Sequence, residues 1–86
     1  MKFSTGVTIT LKNGLADPEG ATIERALPGL GFDGVSNVRV GKHISLVVDA
    51  PDAEAASALV SQLCERLLAN PVIEDYSFEL RPVEDD

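Results

Sequence analysis

The sequence is short of the residues from which most active sites and metal centres are built. Its 86 residues include one cysteine, one histidine and no tryptophan. A single cysteine excludes a disulfide within the chain, and a single histidine falls short of the roughly three or four protein ligands that a zinc site takes. We therefore expect no intrachain disulfide and no metal site.

Basic residues and long apolar runs are also scarce. Seven Lys and Arg residues stand against fourteen Asp and Glu residues, which gives a formal net charge of -7. Nucleic-acid-binding proteins draw much of their affinity from basic patches, so this balance argues against a nucleic-acid partner and against an anionic membrane surface. No apolar run approaches the roughly 18 residues of a membrane span, and the first residues lack the apolar core of a signal peptide. We therefore expect a cytoplasmic protein without membrane association.

What the chain does have is an ordinary apolar content of 44%, which is typical of a folded globular domain. We expect a single domain over residues 1–82 and an acidic C-terminal tail over residues 83–86. A domain this short buries only about 60–65% of the surface that its unfolded chain exposes. Self-association is a common way for such a domain to gain stability.

A first strand and a first helix can be predicted from residue spacing. Residues 2–11 alternate between two faces, one of them mostly apolar, with the period of a half-buried strand. Asp17-Pro18-Glu19 indicates a helix start, since Asp can cap free amides and Pro fits the first helical position. Pro28 removes a backbone donor, which predicts a helix end near residues 27–30.

Two strands and a second helix are predicted next. Strand two is expected over residues 35–42 and strand three over residues 43–49. Only Gly41-Lys42-His43 separates them, so they should pair as a hairpin or form one long ribbon bent at the glycine. An amphipathic helix should then begin near Asp52 and stop at Asn70-Pro71.

With a fourth strand expected over residues 72–80, the element order is βαββαβ. This order favours an α+β fold with a four-stranded antiparallel sheet and both helices on one face, the ferredoxin-like arrangement. The other face would be polar but mostly uncharged, and such a face is either solvated or covered by a partner. The small size of the domain favours a partner in an oligomer. That face would carry Thr8, Thr10, Arg39, Ser45, Val47, Ser77 and Ile73.

No set of side chains has the spacing of a catalytic site. Cys64 falls beside apolar residues of the second predicted helix, which favours a core residue over a nucleophile. His43 is expected at an exposed strand edge. Glu74, Asp75 and Glu79 are interleaved with core positions of a strand, which favours a solvated face over an acid–base pair. We therefore predict no catalytic residues.

Two further patterns carry little functional information by themselves. The glycines at positions 29, 31 and 34 match G-x-G-x-x-G, but here they end a helix, whereas a dinucleotide-binding fingerprint follows a strand and opens one. Arg39 and Lys42 form a small basic cluster. It either grips an anion or a partner's carboxylate, or is a surface pair with no specific role.

Three segments of the chain resemble one protein family. Residues 11–20, LKNGLADPEG, are similar to its opening L-K-x-x-V-L-D-P-Q-G, and residues 38–42, VRVGK, to its V-R-[VI]-G-K strand. Residues 64–76, CERLLANPVIEDY, are similar to its C-E-K-L-L-A-N-x-V-I-E-D-Y segment. On these segments the chain resembles the PurS family, the small subunit of phosphoribosylformylglycinamidine synthase, over residues 2–80.

The resemblance implies a subunit without an active site in de novo purine biosynthesis. The whole synthase converts formylglycinamide ribonucleotide, glutamine and ATP to the amidine, with glutamate, ADP and phosphate as the other products. The resemblance implies two partners, the synthetase subunit PurL, which uses ATP and Mg, and the glutaminase subunit PurQ, which releases ammonia. It also implies self-association to a dimer or tetramer. This chain would bind no cofactor, bridge the partners and support ammonia transfer, and its candidate partner-binding residues are Arg39, Gly41, Lys42, Asn70 and Pro71.

Two other functions are compatible with the element order. A small-ligand-sensing regulatory domain has the same βαββαβ topology and would bind an amino acid or nucleotide at a dimer interface. A small acyl-phosphate hydrolase also has a similar topology, but it needs an anion-cradling loop with a nearby Arg after the first strand. Residues 12–15 contain no Arg, which argues against the hydrolase.

Overall fold

A computed structural model describes residues 1–83 of the chain. Its main elements are β1 (Lys2–Leu11), α1 (Pro18–Ala26), β2 (Gly41–Asp49), α2 (Ala53–Leu63) and β3 (Glu74–Pro82). A 3-10 helix, Pro28–Leu30, follows α1, and a π-helix, Cys64–Leu68, continues α2. The strands form an antiparallel sheet in the order β2-β1-β3. Residues 84–86 of the predicted acidic tail lie outside the described residues.

β1 forms the centre of the sheet, and its side chains alternate between the two faces. Phe3, Thr5, Val7 and Ile9 are buried, and the residues between them are mostly exposed. Both neighbouring strands pair with β1 along almost its whole length. The alternation in the sequence therefore predicted both this strand and its buried face.

α1 begins and ends where its capping residues indicate. Asp17 Oδ1 accepts a hydrogen bond from the Gly20 amide at 2.9 Å, and Pro18 occupies the first turn. The helix ends before the 3-10 turn that Pro28 begins. Gly31 closes that turn with a φ of 91°, a left-handed conformation that glycine adopts without a steric penalty.

The two strands expected over residues 35–42 and 43–49 are a single strand, β2, and residues 35–40 lie outside the sheet. Gly41 pairs with Thr10 inside the ladder and makes no hairpin turn. A Cβ added to Gly41 would lie 2.8 Å from the Ile9 carbonyl oxygen, so this glycine serves a close approach of two backbones. Within residues 1–83 the sheet has three strands, and a single chain does not form the expected four-stranded sheet.

Residues 38–40 are held by α1 and its N-cap. The Val38 amide donates to Glu24 Oε1 at 2.9 Å, and the Val40 amide donates to Asp17 Oδ2 at 2.8 Å. These carboxylates take the place of the carbonyl oxygens that a neighbouring strand would offer. Since Val38 and Val40 alternate as they would in a strand, the sequence pattern does not distinguish the two arrangements.

α2 packs across the sheet and builds the core with it. Asp52 caps this helix by accepting the Ala55 amide at 2.8 Å. Ala56, Val60 and Cys64 have no exposed surface and belong to the same cluster as the buried residues of β1. In contrast, α1 packs on its 3-10 turn and has no substantial contact with any strand in the described part of the chain. The expectation that both helices cover one face therefore holds for α2 alone within a single chain.

Within residues 1–83, no helix covers the opposite face of the sheet, which we call the bare face. Five of the seven residues expected there are exposed strand residues, namely Thr8, Thr10, Ser45, Val47 and Ser77. Arg39 precedes β2, and Ile73 precedes β3, which begins two residues later than expected. No helix within residues 1–83 has the length and apolar character needed to cross a membrane.

Candidate partner-binding site

Four of the candidate partner-binding residues, namely Gly41, Lys42, Asn70 and Pro71, lie at one end of the sheet. β1 ends there and the other two strands begin there, because both pair antiparallel with β1. In this register Thr10 lies opposite Gly41 on one side and opposite Asp75 on the other. The sheet therefore brings Gly41-Lys42 and the Asn70-Pro71 turn to the same end of the molecule.

Glu74 joins these two segments. Its Oε1 accepts a hydrogen bond from the Asn70 amide at 2.7 Å, and its Oε2 lies 3.6 Å from Lys42 Nζ. The Glu74 side chain is 14% exposed and that of Lys42 is 61% exposed, so the carboxylate is shielded while the ammonium group faces solvent. Sequence reasoning places Glu74 on a solvated face and does not find this role, because the role depends on how β2 and β3 pair with β1.

Asn70 builds the turn before β3 from its own polar groups. Its Oδ1 accepts the Val72 amide at 3.1 Å. Its carbonyl oxygen accepts the amides of Ile73 at 3.1 Å and Glu74 at 2.7 Å. Asn70 therefore shapes the turn, and the exposed Pro71 and Val72 are what the turn presents to solvent.

Arg39 is tied to the loop that follows β1. Its Nη1 and Nη2 donate to the carbonyl oxygens of Leu15 and Leu11 at 3.3 and 3.4 Å, and its Nε lies 3.9 Å from Asp17 Oδ2. Two backbone amide hydrogen bonds, and then the charge of Arg39, hold the pKa of the Asp17 carboxyl below its ordinary value of 3.8. Arg39 thus positions the loop, while 41% of its side chain stays exposed.

A charged cleft of about 630 Å³ opens between the end of α2 and the start of β3. In it the Tyr76 hydroxyl donates to Glu65 Oε1 at 3.2 Å, and Lys12 Nζ donates to Asp75 Oδ1 at 2.9 Å. Burial, and then the Glu65 carboxylate, raise the pKa of Tyr76 above its ordinary value. The charged cleft is lined by Lys12, Glu65, Arg66, Pro71, Glu74, Asp75 and Tyr76. Most of these charged side chains already have an ion-pair or hydrogen-bond partner within the chain. The charged cleft therefore resembles the polar rim of a protein interface.

Exposed apolar side chains stand beside the charged cleft. Leu67 in the π-helix is 75% exposed, and Val72 in the turn is 79% exposed. Protein interfaces commonly combine an apolar centre with a polar rim. We refer to Lys42, Leu67, Pro71 and Val72 together as the docking end, because they combine these two kinds of surface at one end of the sheet.

The other residues singled out by the sequence take structural positions. Cys64 is fully buried, and burial raises the pKa of its thiol. His43 lies over Gly6 on the bare face, where a Cβ added to Gly6 would come within 3.0 Å of His43 Cε1. Gly31 and Gly34 have positive φ angles after α1 and open no helix. Within residues 1–83, no group of three or more His, Cys, Asp or Glu residues is arranged to hold a metal ion.

Comparison with known protein sequences gives a consistent family. The family model of PurS, described as phosphoribosylformylglycinamidine (FGAM) synthase, matches residues 4–82. A phosphoribosylformylglycinamidine synthase subunit PurS from Synechocystis sp. is 45% identical over 78 residues, which cover 91% of this chain and 78% of that protein.

Solved structures of high similarity agree. The crystal structure of Methanocaldococcus jannaschii PurS is 40% identical, has a TM-score of 0.84, and is matched over 95% of this chain and 99% of that chain. A chain in the structure of PurLQS from Thermotoga maritima is 36% identical, has a TM-score of 0.87, and is matched over 94% of this chain and 99% of that chain. The chain therefore belongs to the PurS family of phosphoribosylformylglycinamidine synthase subunits.

Proposed function

We propose that this chain is the small subunit of phosphoribosylformylglycinamidine synthase that bridges the synthetase subunit PurL and the glutaminase subunit PurQ. The observation that carries the proposal is the similarity to a chain of the PurLQS structure, at a TM-score of 0.87 over 94% of this chain. The residue chemistry supports it, since the docking end offers contact surface beside a cleft whose charges are mostly paired. In this proposal PurL binds ATP and Mg, this chain binds no cofactor, and the assembly works in the cytoplasm.

The benefit of such a bridge is the retention of ammonia. Ammonia released by a glutaminase is lost or protonated if it escapes to water. Holding the glutaminase and synthetase sites in a fixed relation makes the transfer effectively intramolecular, which raises the local concentration of the nucleophile. A rigid antiparallel sheet with a fixed turn at one end suits this positioning role.

The candidate residues divide into two roles in this proposal. Lys42 and Pro71 contact a partner directly, because both are exposed at the docking end. Gly41, Asn70 and Arg39 shape that end through backbone approach, turn hydrogen bonds and loop hydrogen bonds respectively. A specific contact of this kind should bury on the order of 1,000 Å² or more of total surface.

We also propose that the chain works as a homodimer, or as a tetramer built from such dimers, and that the four-stranded sheet forms between copies. Both expectations are supported by the shortness of the domain and by the outer edge of β2, which pairs with no strand among residues 1–83.

Size-exclusion chromatography of the purified chain mixed with PurL and PurQ, in the presence of ADP and glutamine, tests the bridge. We expect the three chains to elute together. Val72→Asp and Lys42→Ala should weaken this co-elution, whereas Ala58→Asp, on an exposed position of α2, should not. Separate elution of the unmodified chain under all conditions would contradict the proposal.

Replacing glutamine with an ammonium salt tests the transfer role separately. The synthetase then receives ammonia from solution and no longer depends on a bridge to the glutaminase. We expect Val72→Asp to lower glutamine-dependent activity at least several-fold more than ammonia-dependent activity. Equal losses of both activities would assign the effect to the synthetase site and argue against transfer through the assembly.

A further inference from the structure

The buried stripe of α2 changes its spacing where the π-helix begins. Ala56, Val60 and Cys64 are buried at intervals of four residues, and the next buried residue, Ala69, follows after five. The backbone has the same interval, because the Ala69 amide donates to the Cys64 carbonyl oxygen at 2.9 Å. The wider turn therefore gives Ala69 the place in the core that an earlier residue would take in an α-helix.

Leu67 is the residue that loses this place in the core. A regular α-helix turns by about 100° per residue, so Leu67 would lie about 20° from Ala56 around the helix axis and would face the sheet. In the structure the Leu67 side chain is instead 75% exposed, whereas Leu68 is partly buried and packs against the core. The π-helix therefore turns into solvent an apolar side chain that has the spacing of a core residue.

Exposing Leu67 is unfavourable for the isolated chain. The burial of a leucine side chain is a favourable term in folding, and this chain does without it at position 67. π-Helices are rare, occur mostly as single turns within α-helices, and are frequent at functional sites. A partner that covers Leu67 would bury it on binding, so the geometry favours a contact residue over an irregularity of packing.

The charges next to Leu67 indicate what its partner carries. The preceding residue, Arg66, is exposed, lines the charged cleft and has no ion pair within residues 1–83. The carboxylates of the charged cleft, in contrast, already have partners in the chain. In an isologous contact, a second copy of this end would bring its own Arg66 to the two-fold axis, where like charges would face each other. The occupant is therefore a different subunit.

We propose that the π-helix presents Leu67 as the anchor of the docking end, and that Leu67 enters an apolar pocket on a subunit other than this chain. A carboxylate at the rim of that pocket pairs with Arg66. Val72, which is 79% exposed in the turn that follows, extends the apolar contact. This inference rests on the proposed bridge to PurL and PurQ, and it adds the residue that carries the contact and the chemistry of the surface that receives it. Leu67 is then needed for assembly and not for folding.

Leu67→Ser separates assembly from folding. Because Leu67 is exposed, the variant should change the Tm by less than about 4 °C. Its Kd for a mixture of PurL and PurQ, measured by biolayer interferometry on the immobilised chain, should rise about 10- to 100-fold. Val47→Ser is the matched control, since Val47 is 60% exposed on the bare face, and it should leave this Kd unchanged.

The outcomes distinguish this inference from the bridge itself. If the unmodified chain assembles and Leu67→Ser binds equally well, the anchor is refuted and the bridge stands. If the unmodified chain does not assemble at all, the bridge fails and the anchor fails with it. Sedimentation equilibrium tests the other occupant, because Leu67→Ser should keep the self-association of the unmodified chain. A loss of self-association would assign Leu67 to a contact between copies and overturn the proposal.

Two further measurements test the partner's carboxylate and the π-helix. The association rate of Arg66→Ala with PurL and PurQ should depend less on salt than that of the unmodified chain, because one pair of opposite charges is lost. Faster association of Arg66→Glu would place a cation at the rim of the pocket and overturn this part of the proposal. By NMR, we expect a scalar coupling across the hydrogen bond from the Ala69 amide to the Cys64 carbonyl. A coupling from Ala69 to Glu65 instead would show an α-helix with Leu67 in the core, and would refute the presentation of Leu67.

Discussion

Removing the Glu74 carboxylate should loosen the docking end by a predictable amount. Glu74→Ala deletes the 2.7 Å hydrogen bond to the Asn70 amide and the 3.6 Å pair with Lys42. A hydrogen bond to a charged group contributes about 1.5–3 kcal/mol, but Asn70 is exposed, so water replaces part of it. The Lys42 pair adds little, since its ammonium group is 61% exposed. We therefore expect a loss of about 1–2 kcal/mol in the free energy of unfolding.

Thermal unfolding and hydrogen exchange measure this effect at two levels. For a domain of this length, a loss of about 1–2 kcal/mol corresponds to a fall in Tm of roughly 4–16 °C. In Glu74→Ala, the backbone amide hydrogen of Asn70 should exchange with solvent faster than in the unmodified protein. The increase should be larger than the global loss of stability alone would cause. Glu74→Gln keeps an acceptor oxygen and should lose roughly half as much.

Glu79→Ala is the matched control on the same strand. Glu79 lies on the bare face opposite Gly6 and is exposed, so its removal should change stability by less than about 0.5 kcal/mol. The affinity for the PurL and PurQ subunits should fall with Glu74→Ala and stay unchanged with Glu79→Ala. If both variants unfold at the same temperature and bind equally well, Glu74 does not join the turn to β2 in the way the structure indicates.

Three further predictions concern other parts of the chain. The folded-state pKa of Asp17 lies below its ordinary value of 3.8. The Asp17 carboxylate therefore contributes its full stabilisation above pH 3.8, and this is lost as the pH falls through the folded-state pKa. Asp17→Asn should flatten this part of the curve when the free energy of unfolding, from chemical denaturation, is plotted against pH. Gly41→Ala should destabilise the fold by more than about 1 kcal/mol, because the new Cβ would lie 2.8 Å from the Ile9 carbonyl oxygen. A Cβ added to Gly29 would meet no described atom within 4 Å, so Gly29→Ala should change the free energy of unfolding by less than about 0.5 kcal/mol. Equal effects of the two variants in urea unfolding would contradict this explanation. Cys64, fully buried with a raised thiol pKa, should resist a thiol reagent in the native protein and react on unfolding, and rapid native labelling would show that the core around it opens.

The parts of the fold that depend on local chemistry could be predicted from the sequence. The alternation of β1, the caps at Asp17 and Asp52, and the break at Pro28 each act within a few residues, and the structure has all of them. The end of α2 is less regular than its sequence pattern indicates, since the helix continues as a π-helix to Leu68. The family resemblance supplied Gly41, Lys42, Asn70 and Pro71 as candidate partner-binding residues, and their role stays a prediction. It gave no account of how the sheet and Glu74 hold them together, which the structure adds.

The parts of the fold and of the candidate site that could not be predicted depend on strand register and on which group accepts the hydrogen bond of each backbone amide. A glycine at position 41 is compatible both with a hairpin turn and with a close approach of two strands. The short distance from its Cβ position to the Ile9 carbonyl oxygen shows the second role, and this distance is known only from the structure. Arg39 and Lys42 are three residues apart, yet one holds the loop after β1 and the other pairs with Glu74 on β3. These roles arise from pairing across more than twenty residues of sequence, which local spacing does not encode.

The failure of the four-stranded prediction is itself informative about the protein. The βαββαβ element order predicted two helices on one sheet face, and each predicted helix has an apolar stripe, but within residues 1–83 α2 alone covers that face. Apolar periodicity records which side chains are buried in the working protein, whether the covering group belongs to the same chain or to another. Within residues 1–83, Ile23, Leu30, Phe32 and Val35 are exposed and β2 is an edge strand. The part of the predicted fold that a single chain does not form therefore coincides with exposed apolar surface.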